Sequence, residues 1–171
     1  MNQVKIISTF LKYLCYFLAI GYSLTFIYSV ICLLTGLWTL PYGDGNYIHI
    51  LYPITNVPFI NLDNNIKYFI FSFLLPVGFY GIFFGLTAQV SSVFLKSRIF
   101  TKENQGIFER YFILNTYIPL PMVLIGLMFV EVEGMIWILV FIHLILGIFS
   151  LFLANICKQG LHLQNEQDLI I

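Results

Sequence analysis

Histidine is the side chain best suited to hold a transition metal or to move a proton near neutral pH, and this sequence has three. His49 lies in a loop, His143 in an apolar stretch and His162 in the polar C-terminal tail. Three imidazoles in such separate segments cannot converge on one ion, so the sequence predicts no metal site. We interpret His143 as a packing residue that hydrogen-bonds a neighbouring helix; the alternative is a proton-sensitive or ligand-binding group.

Nucleophilic catalysis requires a Ser or Cys beside a base. Ser91 and Ser92 have no His or carboxylate nearby in sequence, and the acidic pair Glu131 and Glu133 supplies too few oxygen ligands for a divalent cation. No metalloprotease, phosphate-loop or nucleophile-elbow motif occurs. The sequence therefore predicts a protein that is not an enzyme, with no catalytic, cofactor-binding or metal-binding residue.

The three cysteines, Cys15, Cys32 and Cys157, share no metal-binding or redox spacing, and we interpret them as small packing residues. The apolar stretches contain no Asp or Glu. An ion-coupled transporter needs buried acids or broken helices at mid-membrane, so this pattern argues against one.

The elements that position these residues must be apolar helices. Of the 171 residues, 60% are hydrophobic and 9% are charged, whereas about 25% charged residues is typical of soluble domains. So few charges cannot cover a water-facing surface, but a lipid bilayer removes that need. The formal net charge is zero, which argues against direct binding of nucleic acid.

Charged residues are costly at the centre of a spanning helix, at about 2.5–3.5 kcal/mol each, so spans should follow the intervals without them. Four such intervals are long enough to cross a hydrocarbon core of about 30 Å. Pro119 and Pro121 predict a bend in the third. The sequence thus predicts an all-α integral membrane four-helix bundle, one domain over residues 1–171, with spans at about 13–38, 68–95, 111–130 and 135–157.

The basic residues predict the orientation, because they gather on the cytoplasmic side of a membrane. Only Lys67 falls on the opposite side from the other seven, which are Lys5, Lys12, Lys96, Arg98, Lys102, Arg110 and Lys158. We therefore predict a multi-pass protein of the cell membrane with both termini in the cytoplasm.

Two segments outside the spans carry a structural signal. Residues 39–66, on the external side, combine aromatic and β-branched residues with turn residues, as in a short hairpin or interfacial lid; they could equally rest on the lipid headgroups. In the cytoplasmic connection, Thr101 is a predicted N-cap with Glu103 in the first helical turn.

The C-terminal tail should continue the fourth span as a helix to about Gln164. Because its last residues are apolar, we predict that residues 164–171 fold back onto residues 98–104 and bury them. Gly81 and Gly85 form a small-xxx-small pair that favours close helix packing and a possible homodimer.

Two segments resemble a known family. The tail pattern Gly160-x-x-Leu163-x-x-Glu166-x-Asp168-Leu169-x-Ile171 and the connection Ile99-Phe100-x-x-Glu103-Asn104 resemble motifs of the bacterial domain-of-unknown-function 2975 family. The four-span layout is similar too, so the resemblance covers nearly the whole chain, although Ile170 stands where that family usually has Thr. It implies a bacterial inner-membrane protein with a small helix-turn-helix DNA-binding regulator as partner, and the family has no established activity that could be carried over.

Two functions follow as hypotheses. The first is a non-enzymatic regulatory or accessory protein whose cytoplasmic face binds a soluble partner such as that regulator. The alternative is a small-molecule or lipid-binding membrane protein for envelope stress or self-protection. The lipid bilayer is one expected partner. The candidate residues for binding a soluble partner, or for docking of the tail, are Arg98, Ile99, Phe100, Glu103, Asn104, Leu163, Glu166, Asp168, Leu169 and Ile171.

Overall fold

The structure is a computed structural model that describes residues 2–168, with side chains described for residues 3–166. In chain order, its helices and strands are α1 (Asn2–Thr35), β1 (Thr39–Tyr42), β2 (Tyr47–Leu51), β3 (Pro58–Asp63), α2 (Ile66–Val93), α3 (Lys102–Tyr117), α4 (Pro119–Gly126) and α5 (Gly134–Asp168). The chain is therefore mostly helical, with a small sheet between the first two helices.

Three helices of the described range, α1, α2 and α5, are long and apolar enough to cross a membrane. The predicted third span, 111–130, is not one helix. It is divided at Ile118, because α3 ends at Tyr117 and α4 begins at Pro119. A proline has no amide hydrogen to continue the helical hydrogen bonds, so the bend predicted from the two prolines is an interruption of the helix at the single residue Ile118.

Small residues bring α1 and α2 together as an antiparallel pair. A Cβ added to Gly81 would lie 3.1 Å from Ser23 Oγ, and one added to Gly85 would meet Ala19 at 3.9 Å. The small-xxx-small pair predicted for close helix packing thus packs against α1 of the same chain. A homodimer contact through these two glycines would require α1 to move away.

A second antiparallel pair consists of α3 and α5. Buried Ser150 donates a hydrogen bond of 2.8 Å to the carbonyl of Phe108. The main apolar cluster of this region joins α2, α3 and α5, and its buried members are Val93, Ile107, Phe108, Ala154 and Cys157. The two helix pairs meet where α2 packs on α3.

Residues 39–63 form a three-stranded antiparallel sheet in the order β1-β2-β3. The all-α prediction is incomplete here, since the external segment was expected to form at most a short hairpin. Strand β1 directly follows α1 and contains Pro41, which an edge strand tolerates. The β1–β2 turn needs left-handed backbone, which Gly43 and Gly45 adopt with φ of +60° and +85°.

The helix ends differ from the predicted spans. Helix α1 stops at Thr35 rather than Trp38, because Gly36 turns the chain with φ of +72°. Helix α2 has a π-helical stretch, Phe69–Leu74, just before Pro76; such stretches accommodate a missing backbone hydrogen bond.

The expected fold-back of the tail is not found in residues 164–168. They continue α5 without a turn to Asp168, and Leu169, Ile170 and Ile171 lie outside the described residues.

Candidate functional site

The candidate residues between Arg98 and Asn104 lie where α2, α3 and α5 meet; we call residues 96–104 together with Cys157 and Gly160 the junction. Its central residue is Asn104, which is fully buried. Its Nδ2 donates to the carbonyls of Arg98 and Ile99, at 3.2 and 2.8 Å. Its Oδ1 accepts a hydrogen bond of 2.8 Å from Lys96 Nζ. A side-chain amide can donate and accept at once, so this one asparagine fixes the loop between α2 and α3.

The start of α3 is capped as the sequence predicted. Thr101 Oγ1 accepts a hydrogen bond of 3.2 Å from the backbone N–H of Asn104, and Glu103 lies in the first turn. Glu103 also pairs with Lys96 at 2.9 Å. Since this pair is largely exposed, it contributes only about 0–1 kcal/mol, and the amide network of Asn104 is the stronger restraint.

Phe100 packs against the backbone of α5 at Gly160. A Cβ added to Gly160 would lie 2.6–2.7 Å from three ring carbons of Phe100, which is closer than any real Cβ contact. Phe100 is thus half-buried on α5, where the fold-back prediction expected the tail to cover it. The two segments that carry the family resemblance touch each other at this contact.

Cys157 completes the junction. It is 1% exposed, and its Sγ lies 3.5 Å from the carbonyl oxygens of both Ile99 and Thr101. A thiol is a weak donor and can serve one of these carbonyls at a time. Its role is to close the last gap between the loop and α5, as expected for a packing cysteine.

The structure divides the candidate residues into two groups. Phe100 and Asn104 are packed inside the junction. The side chains exposed to the surroundings are those of Arg98, Ile99, Glu103, Leu163 and Glu166. Asp168 is helical, and Leu169 and Ile171 fall outside the described range.

A second polar group lies between α3 and α5, and it contains His143, 5% exposed. His143 Nδ1 lies 2.7 Å from Asn115 Oδ1, and Asn115 Nδ2 donates at 2.8 Å to the carbonyl of Tyr111. Because the amide oxygen can only accept, Nδ1 carries the proton. The rings of Phe79 and Phe83 lie edge-on to the imidazole, with centroids at 5.1 and 4.9 Å.

This arrangement holds helices together, as predicted for His143. The imidazole Nδ1 is engaged with Asn115, and aromatic rings occupy its flanks. No set of three or more His, Cys, Asp or Glu side chains could hold a metal ion within the described part of the chain. His143 thus hydrogen-bonds Asn115 of the neighbouring helix through Nδ1, and Nε2 is its remaining acceptor.

Sequence reasoning missed the hydroxyl-bearing side chains that line the space between the two helix pairs. A cavity of about 390 Å³ is bounded by all the long helices and is lined by apolar residues together with Ser8, Thr87, Ser91, Tyr111 and Ser150. Small polar residues inside apolar stretches favour helix–helix contacts, and this signal was available. A second cavity of about 580 Å³ lies between α1, α2 and the α3–α4 break.

Comparisons of the chain with protein-family models, with curated proteins and with solved structures give no match. The resemblance to the domain-of-unknown-function 2975 family accordingly stays a prediction. It rests on the sequences of the two motif segments, which contact each other at the junction.

Proposed function

We propose that this chain is a four-span protein of the bacterial inner membrane, with both termini in the cytoplasm, that acts without catalysis as a regulatory or accessory protein. Its third crossing, in chain order, is the divided pair α3 and α4. From Tyr111 to Gly126 this pair rises about 24 Å, and the uncharged residues 127–130 extend it toward the roughly 30 Å of a hydrocarbon core. The contacts of α3 with α5 support an antiparallel crossing.

The distribution of basic residues supports the orientation. In the antiparallel pairs, the start of α1, the α2–α3 loop, the N-terminal part of α3 and the C-terminal part of α5 lie toward one end of the molecule. These segments carry all the basic residues except Lys67. That end is cytoplasmic by the positive-inside rule. The sheet and the acidic α4–α5 connection lie at the opposite, external end.

One observation carries the proposed role: α5 is much longer than a membrane crossing requires. Its 35 residues have a length of about 52 Å, so its last turns project into the cytoplasm past Lys158. There Leu163 is 61% exposed, on a helix that the junction holds in place. A fixed helix with an exposed leucine and flanking charges is a surface that a soluble protein can bind through a few anchor residues.

The partner implied by the family resemblance is a small helix-turn-helix regulator encoded beside this chain. The test is the fraction of that regulator recovered with membranes when the two are produced together. Leu163→Glu should reduce recruitment strongly, because it places a charge at the anchor position. Leu40→Glu changes a comparably exposed leucine, 51% accessible, on the external sheet, and should leave recruitment unchanged. Equal recruitment by both variants would reject this role.

The cavity beside the α3–α4 break favours a second candidate, the binding of a lipid chain or apolar small molecule. Its lining is almost wholly apolar, and its rim includes Ile82, which is 59% exposed. Ile82→Trp should narrow this space and lower covalent labelling by a photoactivatable fatty acid in vesicles. Ile148→Trp, at a position 50% exposed on α5 outside the cavity, is the matched control. Equal labelling of the two variants would reject this candidate.

A further inference from the structure

The connection between β2 and β3, residues 52–57, which we call the tip, is the most exposed apolar segment of the sheet. Ile54 is 91% accessible, and Tyr52 and Val57 are 47% and 58% accessible. Ile54 also has a φ of +62°, a backbone conformation that is rare and strained for a β-branched residue. The fold thus holds an isoleucine outward in a strained turn. Contact of this apolar side chain with water would not offset the strain of the backbone.

The charges of the sheet lie at its other end. Asp44 is in the β1–β2 turn, and Asp63 ends β3, where it pairs with Tyr47. Between Tyr47 and Leu62 the sequence contains no Asp, Glu, Lys or Arg. The sheet therefore has one charged end and one apolar end along its strands.

Helix α1 fixes the position of the apolar end of the sheet along the helix axis. Tyr28 Oη donates a hydrogen bond of 2.6 Å to the carbonyl of Leu51, the last residue before the tip. The Tyr28 ring also stacks on Trp38 and meets Phe59 edge-on, with centroids at 6.0 and 6.3 Å. The sheet thus lies beside the outer end of α1, with its apolar end level with Tyr28.

Tyr28 lies on the membrane side of the helix ends. It precedes the end of α1 at Thr35 by two turns, about 10 Å along the axis. Antiparallel α2 gives a similar depth, because Phe26 contacts Gly78, which places Tyr28 well below Lys67 on the external surface. An apolar loop held at this depth, among aromatic rings typical of the membrane interface, faces lipid.

We propose that the tip is a membrane anchor, inserted into the external leaflet beside α1 so that Ile54 contacts lipid acyl chains. This inference rests on the membrane insertion stated under the proposed function, but not on any partner. The sheet then bends over the helix ends with its charged turn in water, and its position is set by lipid as well as by the Tyr28 hydrogen bond.

Quenching of tryptophan by lipids with brominated acyl chains tests this placement. The background is the full chain with its two tryptophans changed, Trp38→Phe and Trp137→Phe, in phosphatidylethanolamine–phosphatidylglycerol vesicles. Into it are placed, one at a time, Ile54→Trp, Tyr42→Trp and Phe17→Trp. Tyr42 is the matched aqueous control, 57% exposed at the charged end of the sheet, and Phe17 is the lipid-facing control, 74% exposed on α1.

The expected result is blue-shifted emission from the Ile54→Trp variant, with quenching several-fold stronger than in Tyr42→Trp and at least half of that in Phe17→Trp. Quenching equal to that of Tyr42→Trp, with Phe17→Trp still quenched, would overturn the anchor while leaving membrane insertion intact. Blue-shifted emission without quenching in the Ile54→Trp variant would mean that a second copy of the chain covers the tip. That result would also overturn the proposal that the tip is a membrane anchor. Absence of quenching in Phe17→Trp would overturn membrane insertion itself and the anchor with it.

Discussion

Replacing Gly160 by alanine tests whether Phe100 is locked onto α5. In an open helix the change is favourable by about 1 kcal/mol, since alanine is the better helix former. At Gly160 the new Cβ would lie 2.6 Å from Phe100 Cγ. The ring is rigid and cannot retract only its nearest atom, so it must leave the site. Overpacking of this kind costs about 1–3 kcal/mol. The helix-propensity gain offsets about 1 kcal/mol of that cost, so we expect a net loss of about 1 kcal/mol.

Gly106→Ala is the matched control, because Gly106 is also helical and a Cβ there meets no atom within 4 Å. It should gain up to about 1 kcal/mol from helix propensity alone. The free energy of unfolding is measured by titration with a denaturing detergent in mixed micelles, followed by circular dichroism. The sign of the effect should therefore differ between the two glycine variants.

A double-mutant cycle identifies Phe100 as the cause. In a Phe100→Ala background the space beside Gly160 is empty, and Gly160→Ala should become stabilising like the control. The expected coupling is about 1–3 kcal/mol, the size of the removed overpacking. If Gly160→Ala stabilises the otherwise unchanged protein as Gly106→Ala does, the packing of Phe100 on α5 is wrong.

Three further changes have expected outcomes. Asn104→Leu leaves two loop carbonyls without their donor and should cost about 1–3 kcal/mol, seen as faster trypsin cleavage of the α2–α3 loop; unchanged cleavage would argue against the amide network. His143→Leu should cost a similar amount in detergent unfolding, and adding Asn115→Leu should recover part of it, because no buried amide then lacks its partner; a larger loss in the double variant would contradict the pairing. In a background without native cysteines, Asp63→Cys should react with an impermeant thiol reagent in intact cells and Glu103→Cys should not; the reverse pattern would invert the orientation.

The apolar helices could be predicted because their signal is local and strong. Intervals without charge located α1, α2 and α5. They did not locate the start of α1 at Asn2, because the helix continues through polar residues there and hydropathy reports contact with lipid rather than backbone conformation. The end of α5 was expected near Gln164 and lies at Asp168. The early end of α1 depends on Gly36 and its positive φ, which one glycine in a sequence does not reveal.

The sheet was only half predictable. The aromatic and β-branched residues of the external segment 39–66, with their flanking turn residues, indicated a short hairpin, and β2 and β3 are there. Residues 39–42, which form β1, were assigned to that segment without a strand of their own, because four residues that include Pro41 carry too little strand signal. Pairing with β2 holds them extended, and such pairing is set by the fold rather than by local preference.

The site shows the same division between local and long-range information. The Thr101 cap was predicted because it depends on residues three positions apart. The hydrogen bond between His143 and Asn115 joins residues 28 positions apart, and spacing along one chain does not indicate such a pair. The contact of Phe100 with Gly160 was missed for the same reason. The prediction had residues 164–171 cover Phe100, whereas α5 covers it at Gly160.

The junction changes what the two motif segments mean for partner binding. Phe100 and Asn104 serve the fold, so substitutions there should weaken partner binding only to the extent that they loosen the loop. Leu163 is exposed and contributes little to stability, so its substitution should weaken partner binding in a protein that unfolds normally. Substitutions of packed residues should lower the free energy of unfolding, and substitutions of exposed residues should lower partner recruitment alone. Measuring both quantities on the same variants therefore sorts the motif residues into the two classes. Under the proposed role, the surface left for a partner consists of the exposed face of α5 between Lys158 and Glu166, together with the exposed side chains of Arg98 and Ile99.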